Sequence, residues 1–280
     1  MNLFAFGLGY SARAFIARYR PDAWAGTVRR PSEGSDAMAF DAGGYDPALP
    51  RRLQEADTLL VSIAPDAAGD PTLRAFGAEL GRSGKLKDVV YLSTIGVYGD
   101  AGGGWIDETA LRAAVSPRGH WRVRAEDSWL ELAEVAGWRL HILRLAGIYG
   151  PGRSVLDKVA RGEARRIVKP GQVFNRIHVA DIARLIERAV AAKGPGLILN
   201  AADDEPAPPQ DVIAYAAALL GLPPPPEEEF ATADMTPMAR SFYADNKRIS
   251  TMLAKQAVGF APAFPTYREG LRALAAERGG

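Results

Sequence analysis

The sequence predicts a doubly wound parallel α/β sheet carrying a small C-terminal lobe, and three observations lead to it. Short apolar runs alternate with amphipathic stretches through the first 200 residues, as strand–helix–strand units do. A glycine-rich turn directly follows the first of those runs. The 280 residues, 48% hydrophobic and 24% charged, supply apolar material for a full core that needs no staple.

Strands are read in order at Leu3–Phe6, Trp24–Val28, Met38–Phe40, Thr58–Ile63, Asp88–Ser93, Leu140–Arg144 and Leu197–Asn200, each a short, mainly apolar run. Helices are read at Ser11–Tyr19, Pro71–Ser83, Arg122–Ala136, Val155–Arg161, Val179–Ala192, Pro209–Leu220, Asn246–Ala254 and Tyr267–Glu277. The run Pro223-Pro224-Pro225-Pro226-Glu227-Glu228-Glu229 cannot be helical at its start and reads as an exposed connector. No internal repeat of fixed period is present. Residues 1–149, completed by 176–200, form the expected core. Residues 150–280 mainly form a lobe, packed with it as one compact unit over the C-terminal strand edge, where such folds bind ligands.

Composition narrows the function. A net charge of +1 gives no electrostatic reason to expect nucleic acid or a membrane surface as partner. Without cysteine, disulfides, thiolate catalysis and Cys-ligated metals are excluded. His120, His141 and His178 are far apart and lack metal-ligand spacing, so no metal site is expected. Two glycines, Ser11 and Arg13 interrupt Leu3–Ile16, and no small-residue cleavage site follows, unlike a signal peptide. No stretch approaches the ~20 apolar residues of a membrane span. The expected location is cytoplasmic.

Gly7-Leu8-Gly9-Tyr10-Ser11-Ala12 lies between a strand and a helix, with a second strand following. Gly7 permits the tight turn, Gly9 lets the backbone approach a pyrophosphate, and Ala12 lets helix pack on strand. The helix N-terminus then presents free N–H groups to the phosphates. This is the dinucleotide fingerprint of a Rossmann sheet, and Gly7, Leu8, Gly9, Tyr10 and Ser11 are its expected cofactor contacts. Where a NAD site places Asp or Glu, about 20 residues on, this chain has Arg29 and Arg30. Two guanidiniums suit a 2′-phosphate, so NADP is expected, with NAD less favoured. The alternative is a pair of solvated surface arginines.

Three later segments carry a family resemblance: Tyr91-Leu92-Ser93-Thr94-Ile95-Gly96-Val97-Tyr98-Gly99-Asp100, Leu143-Arg144-Leu145-Ala146-Gly147-Ile148-Tyr149-Gly150-Pro151-Gly152-Arg153, and Asn175-Arg176-Ile177-His178-Val179-Ala180-Asp181. With the glycine turn, they cover about 200 residues in the order and spacing of the extended (atypical) short-chain dehydrogenase/reductase family, which the chain resembles in its NAD-dependent epimerase/dehydratase-like group. The ending, Arg248-Ile249, Gly259-Phe260 and Tyr267-Arg268-Glu269-Gly270, resembles the YeeZ-like branch. The resemblance implies a catalytic Ser/Thr at Thr94, and adenine and ribose contacts at Asp41 and at Ile63, Ala64 and Pro65. An Asp after a strand is also a common turn residue. Ala146 replaces an Asn common in the sugar-nucleotide enzymes, which weakens a nucleotide-sugar assignment.

The family's Tyr-x-x-x-Lys pair is missing. Arg118 stands at the Tyr position and Arg122 at the Lys position. Arginine is effectively always protonated and cannot cycle as acid and base. Arg122 retains the ability to hydrogen-bond the nicotinamide ribose, and Arg118 to hold an anion. His120, whose titration range suits acid work, Tyr149 and Tyr98 are the other proton-donor candidates. His178 reads as a satisfied structural histidine. Tyr243-Ala244-Asp245-Asn246-Lys247 matches the pattern far downstream and reads as a packing tyrosine with a solvated lysine. Lys158, Arg161, Arg165, Arg166 and Lys169 form a basic cluster, either an anion site or a solvated face. Two readings stand: an NADP-dependent oxidoreductase or epimerase-like enzyme acting on a small molecule, anionic if that cluster binds it, or a non-catalytic NADP(H)-binding sensor or scaffold. A homodimer is compatible with either.

Overall fold

The computed structural model describes residues 1–278. β1 (Asn2–Phe6) lies mid-sheet, parallel to β2 (Ala23–Val28) on one side and β5 (Thr58–Val61) on the other. Beyond β2 come β3 (Met38–Asp41) and, antiparallel to it, β4 (Gly44–Tyr45). Beyond β5 come β6 (Asp88–Thr94), β8 (Arg139–Leu145) and β12 (Ile198–Ala201), all parallel. Together these make one eight-stranded sheet, the Rossmann core. All seven expected strands belong to it, with ends displaced by at most two residues.

Side-chain alternation decides which layer each residue joins. Leu3 and Ala5 face α1 (Tyr10–Tyr19) and α6 (Val179–Ala191), packing with Phe15, Ile182 and Ile186. Phe4 and Phe6 face the opposite layer, with Phe76 of α3 (Pro71–Leu80) and Trp129 of α4 (Pro117–Ala136). β1 is therefore apolar on both faces, as a strand covered by helices on each side must be. α6 buries Ile182, Leu185, Ile186 and Ala189, a stripe at helical spacing. α2 (Leu49–Gln54) closes the second layer through Leu49 and Leu53.

The lobe is built on short pieces. β9 (Gly147–Tyr149) pairs with β11 (Arg176–His178), β10 (Arg166–Val168) with β13 (Glu227–Glu229), and β7 (Trp105–Ile106) with β14 (Arg248–Ile249). α5 (Val155–Ala160), α7 (Pro209–Leu219) and α10 (Tyr267–Arg278) share a core of Leu156, Val212, Ala216, Tyr267 and Leu271. α8 (Pro237–Ser241) belongs to the lobe, whereas α9 (Met252–Val258) packs Ala254 and Val258 into the sheet's own core with Ile182 and Ile186.

Two expectations are corrected. The helix read at Asn246–Ala254 starts only at Met252. Asn246 is held in extended chain by Gly171 O and Val173 N, and Ile249 donates its N–H to Asn175 Oδ1 instead of to a helical carbonyl. The connector ends in β13 rather than in exposed coil, because Arg165 and Arg166 draw Glu228 and Glu227 into a strand beside β10. Among the described residues no helix is long and apolar enough to cross a membrane. No group of three or more His, Asp or Glu there could hold a metal.

Candidate active site

Phe6 is in register with Val61, and Val61 with Tyr91. The glycine turn after β1 and Thr94 at the end of β6 therefore leave the sheet at the same edge. Gly7 has φ +91°, a conformation that favours glycine, and a Cβ there would lie 2.7 Å from Ser62 Oγ. Its N–H donates to Thr27 Oγ1 at 3.0 Å, and Ser62 Oγ donates to its carbonyl at 2.6 Å. Gly9 caps α1 without a side-chain hydrogen bond, and a Cβ on it would touch nothing within 4 Å. The first N–H groups of α1 thus stand open at its positive end, a ready anion site. Leu8 and Ser11 are buried beneath the turn. The Tyr10 hydroxyl donates to Pro151 O at 2.9 Å, tying the turn to the loop that opens the lobe.

Arg29 and Arg30 are exposed directly past β2, with no ion-pair partner among the described residues. Ile63, Ala64 and Pro65 follow β5 beside the glycine turn; Ala64 is exposed and Pro65 buried. Asp41 is exposed and accepts from Gly43 N at 2.7 Å, so its carboxylate already closes a turn.

Thr94 Oγ1 accepts from Gly96 N at 3.1 Å. This side chain lines a cleft of about 1110 Å³ between sheet edge and lobe, shared with Tyr149, Arg176, Tyr243 and Lys247. Arg122 donates through Nη1 to Tyr91 Oη at 2.9 Å and to Leu92 O at 3.0 Å, its guanidinium over the Tyr91 ring.

Of the other proton-donor candidates, only Tyr149 lines the cleft with Thr94. α4 begins at Pro117, five residues earlier than expected, because Ser116 Oγ accepts from Gly119 N at 3.1 Å and Pro117 suits the first helical position. Arg118 and His120 are therefore helical and exposed, and neither lines the cleft. The Tyr149 ring borders the cleft, but its hydroxyl is buried without a partner, close against Gly270. Burial, aided by the Asp203 and Asp181 carboxylates, pushes its pKa far up, unsuited to proton transfer near neutral pH. The Tyr98 hydroxyl is committed to Asn200 Oδ1 at 2.8 Å. His178 caps α6 by accepting from Ala180 N through Nδ1, while its Nε2 is buried without a partner, so it is only half satisfied.

Beneath this edge lies a buried charge network. Arg144 grips Glu126 with Nε at 3.2 Å and Nη2 at 2.7 Å, and donates from Nη1 to Tyr98 Oη at 2.8 Å. Ser93 Oγ donates to the same Glu126 carboxylate at 2.5 Å. All three guanidinium nitrogens and both carboxylate oxygens of this ion pair are engaged.

Comparison with known proteins agrees with this architecture. A functionally unknown conserved protein from Silicibacter pomeroyi DSS shares 46% identity and a TM-score of 0.89, over 100% of this chain and 99% of that one. MoeE5, solved in complex with UDP-glucuronic acid and NAD, superposes at TM-score 0.78 with 20% identity over the full length of both chains. The human epimerase family protein SDR39U1, solved with NADPH, superposes at 0.73 with 16% identity, over 99% of each chain. YeeZ of Escherichia coli K12 is 32% identical over 178 residues, which is 61% of this chain and 61% of YeeZ. The chain therefore shares the fold of these epimerase-type Rossmann proteins, and over 178 residues its sequence is similar to YeeZ. No family model matches the chain.

At the lobe side of the cleft, the basic cluster is largely neutralised. Arg161 pairs with Glu163 at 2.9 Å, Arg165 with Glu228, and Arg166 with Glu227 at 2.8 Å, while Lys169 donates to Tyr243 O. The acidic end of the connector supplies two of these partners, which the sequence places some 60 residues away. Lys247 also departs from expectation. It is buried, paired with Asp245, and reaches Gly99 O at 3.3 Å. The Tyr243–Lys247 pattern, far downstream in sequence, lies in the cleft with Thr94. Arg176 was read only as part of a motif; its side chain proves to line the same cleft.

Proposed function

We propose that the protein is an NADP-dependent oxidoreductase or epimerase-like enzyme in which Thr94 holds the oxygen of a small-molecule substrate. The observation that carries this reading is the open, uncapped start of α1 at the same sheet edge as Thr94. Bound NADPH would supply a hydride. Arg29 and Arg30, unpaired past β2, suit its 2′-phosphate. SDR39U1 was solved with NADPH and MoeE5 with NAD, which supports a nicotinamide dinucleotide of one kind or the other. Thr94 Oγ1 accepts from Gly96 N, which leaves its hydroxyl proton free to donate to a substrate oxygen. Arg122, fixed to Tyr91 and Leu92, suits a ribose contact by its chemistry and cannot cycle a proton. General acid catalysis typically contributes about 10²–10⁴-fold, so turnover without the family's Tyr is expected to be slow.

Fluorescence titration with NADPH and NADH tests the cofactor. NADPH should bind at least about tenfold more tightly, and Arg29→Ala with Arg30→Ala should remove that difference, since charge-assisted bonds to a phosphate are lost. Equal affinity for the two cofactors sinks the NADP assignment. A second reading, a non-catalytic NADP(H) sensor, is favoured by the exposure of Arg118 and His120 and the burial of the Tyr149 hydroxyl. Substrate-dependent loss of NADPH absorbance, abolished by Thr94→Val, separates the enzyme from the sensor.

A further inference from the structure

Arg176 lies on β11, in register with Gly147 of β9, and lines the cleft with Thr94. One nitrogen of its guanidinium is structural: Nη1 donates to Phe174 O at 2.9 Å and Ala207 O at 3.1 Å. Nε and Nη2 have no partner among the described residues, and neither is sealed from solvent. These two nitrogens form the side-on edge that receives both oxygens of a carboxylate or phosphate.

No carboxylate forms an ion pair with this arginine among the described residues. Asp203, whose field it feels, makes no ion pair with it, and burial pushes that carboxyl up to about 8, toward its neutral form. A largely desolvated cation left without a counter-charge is costly. Of the six Lys and Arg lining the cleft, Arg161, Arg165 and Lys247 are paired with carboxylates, while Arg153, Lys158 and Arg176 form no ion pair among the described residues. Unpaired cations of this kind draw anions inward.

A second donor stands close by. The Tyr243 ring is held between Phe174 at 5.1 Å and Phe230 at 4.9 Å. Its hydroxyl makes no hydrogen bond among the described residues, and the Arg176 charge opposes the rise that burial imposes on it. Arg176 donates to Phe174 O and the Tyr243 ring packs on Phe174, so both residues stand at the Phe174 side of the cleft.

We propose that Arg176, with the Tyr243 hydroxyl as second donor, is the anchor for an oxyanion of the substrate, a carboxylate or a phosphate. This deepens the enzyme reading and rests on it. The substrate class becomes an anionic carbonyl or hydroxyl compound, its oxyanion at the lobe and its reacting oxygen at Thr94.

The test is saturation-transfer NMR of the full chain with three matched probes: benzoate, phenyl phosphate and neutral benzamide. It is run without cofactor and again with saturating NADPH, which fills the phosphate turn. At least one anion should bind roughly tenfold or more tightly than benzamide, as expected for a bidentate charge-assisted contact. The stronger anion tells carboxylate from phosphate. Arg176→Gln should erase the preference, and Tyr243→Phe should weaken it a few-fold. Arg176→Lys keeps the charge but lacks the fork, so it should lose most of the preference and serves if the Gln variant does not fold. Equal binding of all three probes, or a preference that survives both Arg176 variants, overturns the proposal. NADPH binding read in the same samples keeps the two ideas apart. If NADPH fails to bind while the anion preference follows Arg176, the cofactor reading falls and the oxyanion site stands.

Discussion

Arg144, under the C-terminal ends of β6 and β8, commits its guanidinium to Glu126 and Tyr98, whereas Arg176, on β11 in the lobe, binds two carbonyls and leaves one edge unused. Both are cations taken largely out of water. In the sheet the counter-charge comes from the chain itself, a carboxylate on α4 that is wholly buried. In the lobe the nearby Asp203 carboxyl is pushed toward its neutral form and makes no ion pair with Arg176. Pairing a buried charge completely makes it architecture; pairing it by half leaves it available to a ligand.

The largest effect expected is at the paired site. Glu126→Gln strands Arg144 without a counter-charge and should cost about 3–5 kcal/mol of stability by urea denaturation. That is a large share of the roughly 5–15 kcal/mol a domain has in total. Arg176→Gln should cost far less, because two carbonyls but no paired carboxylate are left behind. Similar costs at the two sites would break the contrast between them.

Asp203 sharpens it from the other side. Its folded pKa of about 8 lies above its ordinary value of 3.8, so over that interval the folded protein holds a proton the unfolded chain has released. The stability this contributes is full below about pH 4 and lost as pH rises toward 8. Asp203→Asn can still accept from Glu205 N and should flatten that loss, leaving the variant more stable than the parent at pH 8. A fall with pH as steep as before would mean that Asp203 is charged at neutral pH and neutralises Arg176.

The smallest effect concerns His141, buried in β8 with both ring nitrogens unpartnered. Burial holds it, like His178, down to about 4, below the ordinary 6.5. The folded state therefore binds fewer protons across that window, and stability present above about pH 6.5 is lost as pH falls toward 4. His141→Leu removes two unsatisfied groups and should gain about 1 kcal/mol at pH 7. It should also lessen the loss on acidification. A variant less stable than the parent, with unchanged acid sensitivity, would show that His141 finds a partner in solution.

The sheet was legible because its rules are local. Leu3 to Phe6 show their two apolar faces in four letters, and Gly7 and Gly9 declare a turn that only small residues can make. The geometry around the cleft was not, because it depends on direction and on distant partners. Nothing near Tyr149 in the chain says that its hydroxyl turns toward Gly270, 121 residues on. The neutralisation of Arg165 by Glu228 and the spare edge of Arg176 are equally non-local. The start of α4 is a different kind of miss. Ser116-Pro117 is a local cap signal, and reading it places Arg118 and His120 on a helix.

The strand order carries one more consequence, for the time axis of synthesis. Outward from β1, one wing of the sheet runs β2, β3, β4 and the other β5, β6, β8, β12. Along each wing the strands follow chain order. Every strand leaving the ribosome can therefore dock on an edge that is already there, and none must be wedged between two strands already paired. Only the last strand, β12, waits for residue 201, by which point the rest of the sheet has its partners. Nascent chains arrested soon after β8 should already protect β1 from amide exchange, long before the lobe exists to cover the cleft.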